Sequence, residues 1–239
     1  MNATPSNPLI GAVASARAEA LEQIADAERL VGSGKELVRA LPALLGDDRP
    51  KRYFLAIENL AEARATGGLV GYGILDAVKG KVSLTHLGFI SELGSGVFPG
   101  KPGPTPEFQK MYERFGGAAF WHNINMSPDF PTVAANIEKL FPIAVPGGHL
   151  DGVVSVDPVG LAGLMTLTGP VKVEDLSQPL TAEEVVRFTL STAYSMEPRP
   201  AARKEMLGVV AGDVWAKLLS INLSAERLAR SFAPAVEEG

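Results

Sequence analysis

Cysteine does not occur anywhere in the 239 residues of the chain. Its absence excludes disulfide bonds, thiolate metal sites and cysteine nucleophiles. Histidine occurs only three times, as His86, His122 and His149. A lone histidine is more often a structural or surface residue than a ligand, so a histidine-rich metal site is not favoured.

Long apolar runs and basic clusters are lacking as well. No apolar run approaches the roughly 20 residues of a membrane span, and residues 1–6 lack the basic and apolar regions of a signal peptide. The net charge is -5 and no run of lysine and arginine forms a basic patch, which argues against a nucleic-acid partner. We therefore expect this chain to be soluble and not to bind nucleic acid.

The familiar signatures of catalytic sites are also missing. The sequence contains no Walker-type phosphate loop, no dinucleotide-binding G-x-G-x-x-G, no HExxH and no G-x-S-x-G. Gly67, Gly68 and Gly71 open a predicted strand rather than a helix. Close approach of neighbouring strands explains these glycines better than a nucleotide does.

What is present is the composition of a globular protein, with 46% hydrophobic and 21% charged residues. Between residues 8 and 44, apolar positions three and four apart predict two helices joined by Gly32, Ser33 and Gly34. We expect residues 1–46 to form an N-terminal helical segment. Residues 47–239 should form one α/β domain.

Strand patterns follow one another closely at the start of that domain. Apolar runs predict strands over residues 53–57, 69–78 and 82–93, and the tight turn at residues 79–81 predicts a hairpin between the last two. Later segments alternate between helix and strand, with helices at 106–113, 130–140, 158–167, 181–194, 201–219 and 224–236, and strands at 151–156 and 171–173. Thr105 and Asp157 are the expected N-caps of the helices at 106–113 and 158–167. This order predicts an α/β fold with a mixed central sheet flanked by helices.

The polar stretch at residues 58–71 interrupts the strand pattern on both sides. It contains two carboxylates besides Asn59, Arg64 and Thr66, and it ends in paired glycines. A polar loop at the end of a buried strand is where open sheets place ligand sites. An ordinary connection, in which Glu62 and Arg64 simply balance each other in solvent, is the alternative.

A second polar concentration precedes the helix predicted at residues 130–140. Asn123, Asn125, Ser127 and Asp129 alternate, so a strand-like stretch would place all four on one face. Asp129 also stands where a helix N-cap is expected, with Pro131 near the start of the helix. Both roles stay open for Asp129.

These residue types favour one chemistry. Carboxylates with carboxamides suit a hard cation such as Mg²⁺, which keeps waters for a phosphate to share. Arginine grips a phosphate with two hydrogen bonds. The combination predicts metal-assisted chemistry on a pyrophosphate, with candidate residues Asn59, Glu62, Arg64, Thr66, Arg114, Asn123, Asn125 and Asp129.

Several motifs together resemble the bacterial domain of unknown function 4012 family. They are Asn59-Leu-Ala-Glu-Ala-Arg-Ala-Thr-Gly-Gly68, Ser127-Pro-Asp-Phe-Pro131, Asp151-Gly-Val-Val-Ser-Val-Asp-Pro158 and Thr168-Gly-Pro170. An upstream transmembrane helix and further downstream sequence are usual in that family. The resemblance therefore implies an extracytoplasmic portion, truncated at its C-terminus, whose membrane contact is made through a segment outside this chain.

More distantly, the order of elements is similar to the LytR-CpsA-Psr family, which attaches lipid-pyrophosphate-linked glycopolymers to peptidoglycan. The resemblance implies that Arg64 holds phosphates as a catalytic residue with Glu62, and that Asn59 and Glu62 hold Mg²⁺. Thr66, Arg114, Asn123, Asn125 and Asp129 would complete the substrate pocket.

This sequence departs from the LytR-CpsA-Psr pattern in two places. Asn59 stands where that family has an aspartate, and residues 90–96 offer only Glu92 where a second arginine and aspartate motif is expected. The expected function is a cell-envelope protein that binds a polyprenyl-linked phosphate or pyrophosphate glycan and transfers it to the cell wall. The alternatives are a non-catalytic glycan- or lipid-binding module and an envelope scaffold.

Overall fold

The computed structural model of the protein describes residues 39–61, 67–94, 105–117, 119–173 and 176–220. The chain forms two compact units, Met1–Leu44 and Leu45–Gly239. In the first unit, residues 39–44 are described and are helical. The rest of the predicted N-terminal helical pair and the predicted helix at 224–236 lie outside the described residues.

A four-stranded mixed sheet forms the centre of the second unit. Its strands are β1 (Lys51–Asn59), β2 (Gly68–Val78), β3 (Lys81–Phe89) and β4 (Gly152–Val156), in the order β3-β2-β1-β4. Strand β1 runs antiparallel to β2 and parallel to β4. The predicted α/β class with a mixed sheet is confirmed.

The hairpin predicted between β2 and β3 is also confirmed. Lys79 and Gly80 both have positive φ, 48° and 80°, as a two-residue turn that matches strand twist requires. The amide of Lys79 donates to the carbonyl of Gly46 over 2.9 Å. The segment before β1 therefore anchors the turn.

Two strand predictions are wrong, one at the end of β3 and one at residues 171–173. Strand β3 ends at Phe89, and Ile90–Leu93 is a 3₁₀ turn, because the side chain of Glu92 accepts the amide of Phe89 over 2.8 Å and closes that turn. The strand predicted at 171–173 is reduced to a single bridge between Val171 and Leu180. The carbonyl of Val173 accepts the amide of Leu176, so the chain turns away after that bridge.

Helices cover both faces of the sheet. They are α1 (Pro106–Tyr112), α2 (Phe130–Ala144), α3 (Pro158–Thr168), α4 (Ala182–Arg187), α5 (Ala193–Met196) and α6 (Pro200–Ser220), with a π-helical turn, Phe188–Thr192, between α4 and α5. The predicted N-caps Thr105 and Asp157 are confirmed, since their side chains accept the amides of Phe108 and Gly160. Within the described residues, no helix combines the length and apolar character needed to cross a membrane.

Strand β1 divides the hydrophobic core between the two faces of the sheet. Leu55 packs on the face that carries α3, α4 and α6, whereas Phe54 and Ala56 pack on the face that carries α2. Side chains alternate between faces along a strand. At the carboxyl end of β1, Asn59 therefore lies on the same face of the sheet as Leu55, and Glu58 lies on the same face as Phe54.

Candidate functional site

Asn59 ends β1 on the α6 face and is almost completely buried, with 3% of its surface exposed. Its Nδ2 donates to Oη of Tyr194 over 2.9 Å. Its Oδ1 accepts the amide of Ala61 over 2.9 Å, which bends the chain out of the strand. Both polar groups of the amide are thus bonded within the protein.

Arg203 continues this contact from helix α6. Its guanidinium carbon lies 4.2 Å from the ring centroid of Tyr194, a distance at which a cation is attracted to an aromatic face. Its Nη1 donates to the carbonyls of Glu197 at 3.1 Å and Pro198 at 3.4 Å. Asn59, Tyr194 and Arg203 form a continuous group, which we call the β1-end cluster.

The β1-end cluster opens on a cavity of about 350 Å³ between the sheet and helix α6. Mostly apolar side chains and glycines line this cavity, among them Ile57, Val70, Gly71, Leu87, Gly88, Phe89, Leu207, Gly208, Val209 and Ala211. Its volume lies near the lower limit of ordinary small-molecule sites, roughly 300 to 1,000 Å³. An apolar cavity with a few convergent polar groups is the usual form of a ligand site.

A carboxylate, Glu92, lines the cavity next to strand β3. Its Oε1 accepts the amide of Phe89, and its Oε2 lies 3.3 Å from Nε2 of His86. The side chain packs directly over Gly88, where a Cβ atom would come within 2.4 Å of the carboxylate. Among the described residues that line the cavity, Arg203 is the only cation and Glu92 the only carboxylate.

The π-helical turn Phe188–Thr192 precedes Tyr194 in the chain. Within it, the Thr189 hydroxyl donates to the carbonyls of Val185 at 2.8 Å and Val186 at 3.1 Å. A π turn inserts an extra residue into a helix, and such turns are frequent at functional sites. The extra residue rotates the following helix about its axis, and this rotation directs the side chain of Tyr194 toward Asn59.

A second polar group lies on the opposite face of the sheet and is centred on Glu58, which is 5% exposed. Its Oε1 accepts Nδ2 of Asn125 over 3.1 Å, and its Oε2 accepts the hydroxyl of Ser155 over 2.7 Å. Asn125 also donates to the carbonyl of Gly67 over 2.7 Å. This group joins β1, β4 and the start of β2.

The structure thus separates Asn59 from Asn125, two residues predicted to share one pocket. Asn59 lies beside Tyr194 on the α6 face, and Asn125 lies beside Glu58 on the α2 face. The two residues are connected only through Glu58, which bonds to Asn125 and precedes Asn59 in β1. The described part of the site is therefore two groups at one end of the strand.

Two other predicted site residues lie together away from β1. Nδ2 of Asn123 donates to the carbonyl of Phe115 over 2.8 Å. The guanidinium of Arg114 lies 4.5 Å from the ring centroid of Phe115. Arg114 and Asn123 therefore belong to one local contact around Phe115.

The strand-like reading of residues 123–129 is wrong. Trp121–Asn123 is a 3₁₀ turn and Met126 donates to the carbonyl of Asn123, so alternation does not place the four polar side chains on one face. Asp129 is the N-cap of α2, accepting the amide of Thr132 over 3.0 Å and its hydroxyl over 2.5 Å. The N-cap alternative for Asp129 is confirmed.

Glu62, Arg64 and Thr66 lie outside the described residues, between Ala61 and Gly67. The Mg²⁺ site predicted on Asn59 and Glu62 therefore stays a prediction. In the described part of the chain, no three acidic or histidine side chains come together as a metal site. Glu58 does not supply a carboxylate beside Asn59, because it is bonded on the other face.

Tyr194 and Arg203 were missed by sequence reasoning. Both stand in ordinary helical patterns far from β1, and nothing in their spacing places them beside Asn59. The capping box at Thr181 locates the helix that leads to Tyr194, yet the π turn changes the face on which Tyr194 emerges. No signal in a single sequence specifies that turn.

Comparison with known proteins gives a family for the chain. No curated protein and no solved structure matches it. The model of the family described as Protein of unknown function (DUF4012) matches residues 48–194. That match covers β1 to β4 and ends at Tyr194, more than half of the sequence. The chain therefore belongs to the DUF4012 family.

Proposed function

We propose that this protein binds a polyprenyl-linked phosphate or pyrophosphate glycan at the extracytoplasmic face of the bacterial cell membrane. One observation carries the proposal. The β1-end cluster, with the cation Arg203, opens on an apolar cavity of about 350 Å³. A charged or polar end beside an apolar chamber matches an amphiphile with an anionic head.

The location of the cavity supports the same ligand. Open sheets bind ligands beyond the carboxyl ends of their strands, and Asn59 stands at that end of β1. The segment carrying Glu62, Arg64 and Thr66 joins Ala61 to Gly67 directly after it. In this proposal, Glu62, Arg64 and Thr66 also bind the phosphate or pyrophosphate.

The size of the cavity restricts how such a ligand is held. At about 350 Å³, the chamber accepts only the part of a polyprenyl chain nearest the phosphate. The rest of the chain would remain in the membrane and the glycan would lie outside. A full-length protein anchored in the membrane would suit this division.

Similarity to the LytR-CpsA-Psr family belongs to this proposal. Strand β1 is followed by a segment containing Glu62 and Arg64, then by the β2–β3 hairpin, and later by β4 and α3. The resemblance implies this order followed by a closing strand at residues 171–173, where the structure has only the bridge between Val171 and Leu180. On this basis Arg64 and Glu62 would act with Mg²⁺ on the pyrophosphate. A hydroxyl group of the wall polymer would lose its proton and bond to the phosphorus nearest the glycan, the phosphoanhydride bond would break, and polyprenyl phosphate would leave.

A non-catalytic binding protein is the second candidate, and the bonding of two residues favours it. Asn59 stands where an aspartate is expected, and both of its polar groups are bonded to Tyr194 and Ala61. The buried carboxylate of Glu58 faces Asn125 and Ser155 rather than the cavity. Binding without turnover needs neither group.

Binding and transfer are tested separately with a polyprenyl-pyrophosphate oligosaccharide in detergent micelles. Calorimetric titration should show binding, and the neutral polyprenol should bind more weakly. Release of polyprenyl phosphate, with the glycan phosphate passing to water or to an added peptidoglycan fragment, would identify the transferase if it needs Mg²⁺ and is lost in Arg64→Ala but kept in the exposed control Arg187→Ala. Binding without release would identify the non-catalytic module, and absence of binding would refute the proposal.

A further inference from the structure

We infer that the cavity holds one apolar chain with an anionic end group, that Arg203 binds the end group, and that Gly208 makes room for the chain. The inference rests on the proposed function and assigns its ligand to particular residues. Arg203 and Gly208 both lie beyond residues 48–194, the part of the chain that matches the family. The sheet wall of the cavity lies within that part.

The guanidinium of Arg203 has one edge to which no described residue is hydrogen-bonded. Nη1 donates to the carbonyls of Glu197 and Pro198, and the guanidinium carbon lies over the ring of Tyr194, 4.2 Å from the ring centroid. No other described residue accepts a hydrogen bond from Nε or Nη2. These two atoms form the edge that binds two oxygens of a phosphate or carboxylate at once.

Tyr194 provides a second donor at the same end of the cavity. Its hydroxyl oxygen accepts Nδ2 of Asn59, which leaves the hydroxyl hydrogen to donate elsewhere. Both Tyr194 and Arg203 line the cavity. A ligand oxygen between them would accept from a fixed guanidinium and from a hydroxyl that Asn59 orients.

Charge orients the ligand within the cavity. The carboxylate of Glu92 lines it next to β3, where it would repel an anionic group. Arg203, beside the end of β1, would attract that group. An amphiphile should therefore place its head toward Arg203 and its apolar chain along β2 and β3.

Gly208 provides the space for that chain. A Cβ atom built on Gly208 would meet no heavy atom within 4 Å, whereas one on Gly212, in the same helix, would lie 3.1 Å from a methyl carbon of Leu87. Gly208 lines the cavity beside Gly71 and Gly88. A leucine at this position would enter the cavity instead of colliding with packed atoms.

Three variants of the 239-residue chain test the assignment by calorimetric titration with farnesyl phosphate and with neutral farnesol. Arg203→Gln should weaken farnesyl phosphate binding about 10- to 100-fold and leave farnesol binding unchanged. Gly208→Leu should abolish binding of both ligands. Its midpoint of thermal unfolding should be kept or raised, because leucine has the higher helix propensity. The control Ala216→Leu, at an exposed position of α6, should bind as the wild type does.

The outcomes separate this inference from the proposed function. Farnesyl phosphate binding that survives Gly208→Leu would overturn the inference and leave the proposed function standing. Equal losses for both ligands in Arg203→Gln would show a structural role and would overturn the head-group assignment. Dodecyl phosphate binding with the same pattern of losses, in a protein that rejects farnesyl phosphate, would support the inference and refute a prenyl ligand. A wild type that binds none of these compounds would overturn both.

Discussion

Asn59 and Tyr194 lie 135 positions apart in the sequence, and Nδ2 of Asn59 donates to Oη of Tyr194 over 2.9 Å. The contact joins the last residue of β1 to helix α5, which follows the π-helical turn. Asn59 is 3% exposed, so water does not readily replace the tyrosine. The hydrogen bond therefore fixes one end of the cavity.

Removing the hydroxyl of Tyr194 should lower stability. In Tyr194→Phe the buried Nδ2 of Asn59 would lose its acceptor, at a cost of about 1 to 3 kcal/mol in the free energy of unfolding. Urea titration followed by circular dichroism measures this cost. The matched change Tyr112→Phe removes a hydroxyl from half-buried Tyr112, whose ring packs against Phe108, and should change stability by less than about 0.5 kcal/mol. Equal effects of the two changes would contradict the prediction.

Local chemistry made much of the fold predictable. Thr105 and Asp157 are predictable as N-caps, and Asp129 as an N-cap or a ligand residue, because a cap depends on residues only three positions apart. The turn at Lys79 and Gly80 was predictable for the same reason. These features need no knowledge of the tertiary structure.

The site was less predictable because it depends on which face each side chain takes. Glu58 and Asn59 are neighbours in sequence, yet their partners lie on opposite faces of the sheet. Alternation at residues 123–129 predicted a shared face, but hydrogen bonds within turns override that pattern. Tyr194 and Arg203 reach β1 only through the packing of α5 and α6.

Gly67 should tolerate alanine less well than Gly80 does, although both have positive φ. A Cβ atom on Gly67, where φ is +88°, would lie 2.7 Å from the carbonyl carbon and oxygen of Asn59. At Gly80, where φ is +80°, it would meet nothing within 4 Å. Gly80→Ala should cost about 1 to 2 kcal/mol from backbone conformation alone. Gly67→Ala should cost clearly more, because the backbone at the end of β1 must move.

Chemical denaturation of both variants under one set of conditions measures that difference. Gly67→Ala should also affect a second residue, Asn125. The carbonyl of Gly67 accepts a hydrogen bond from Nδ2 of Asn125, so displacement of Gly67 should weaken that hydrogen bond. A cost at Gly67 no greater than at Gly80 would show that the close contact with Asn59 is relieved without penalty.

Acid should destabilise the protein partly through Asp76. The hydrogen bonds from Arg52, at 2.7 and 2.9 Å, and the one from Thr85 hold the pKa of Asp76 below its ordinary value of 3.8. Because the pKa of Asp76 is lower in the folded state than in the unfolded chain, its ionised carboxylate stabilises the folded protein. This stabilisation is fully present at pH values above the ordinary pKa. That contribution is lost as the pH falls through the lower, folded value.

The pH dependence of the urea midpoint tests this sign. Asp76→Asn should reduce the loss of stability between neutral pH and the acid range below 3.8. The effect should be modest, because the Arg52 side chain is 48% exposed and water screens the pair. Asp47→Asn, at an exposed position before β1, is the matched control. A profile for Asp76→Asn that parallels the wild type would contradict the assignment.

Asn125 should contribute more to stability than Asn123, although both were predicted as ligand residues. Asn125 is completely buried and donates to the carboxylate of Glu58 and to the carbonyl of Gly67. Asn123 is only partly buried and donates to the carbonyl of Phe115. Asn125→Ala would remove donors from two acceptors in the interior. Its expected cost is about 1 to 3 kcal/mol.

Asn123→Ala makes the same chemical change at a position that water can reach. Its cost should be about 0.5 to 1.5 kcal/mol or less, since solvent can replace the lost donor at the Phe115 carbonyl. Urea unfolding of the two variants, together with titration by farnesyl phosphate, separates a structural role from a ligand role. Asn125 lies on the α2 face, away from the cavity. Asn125→Ala should therefore lower stability, and the affinity of the protein that remains folded should not change. A specific loss of affinity at unchanged stability would instead place the ligand on that face of the sheet.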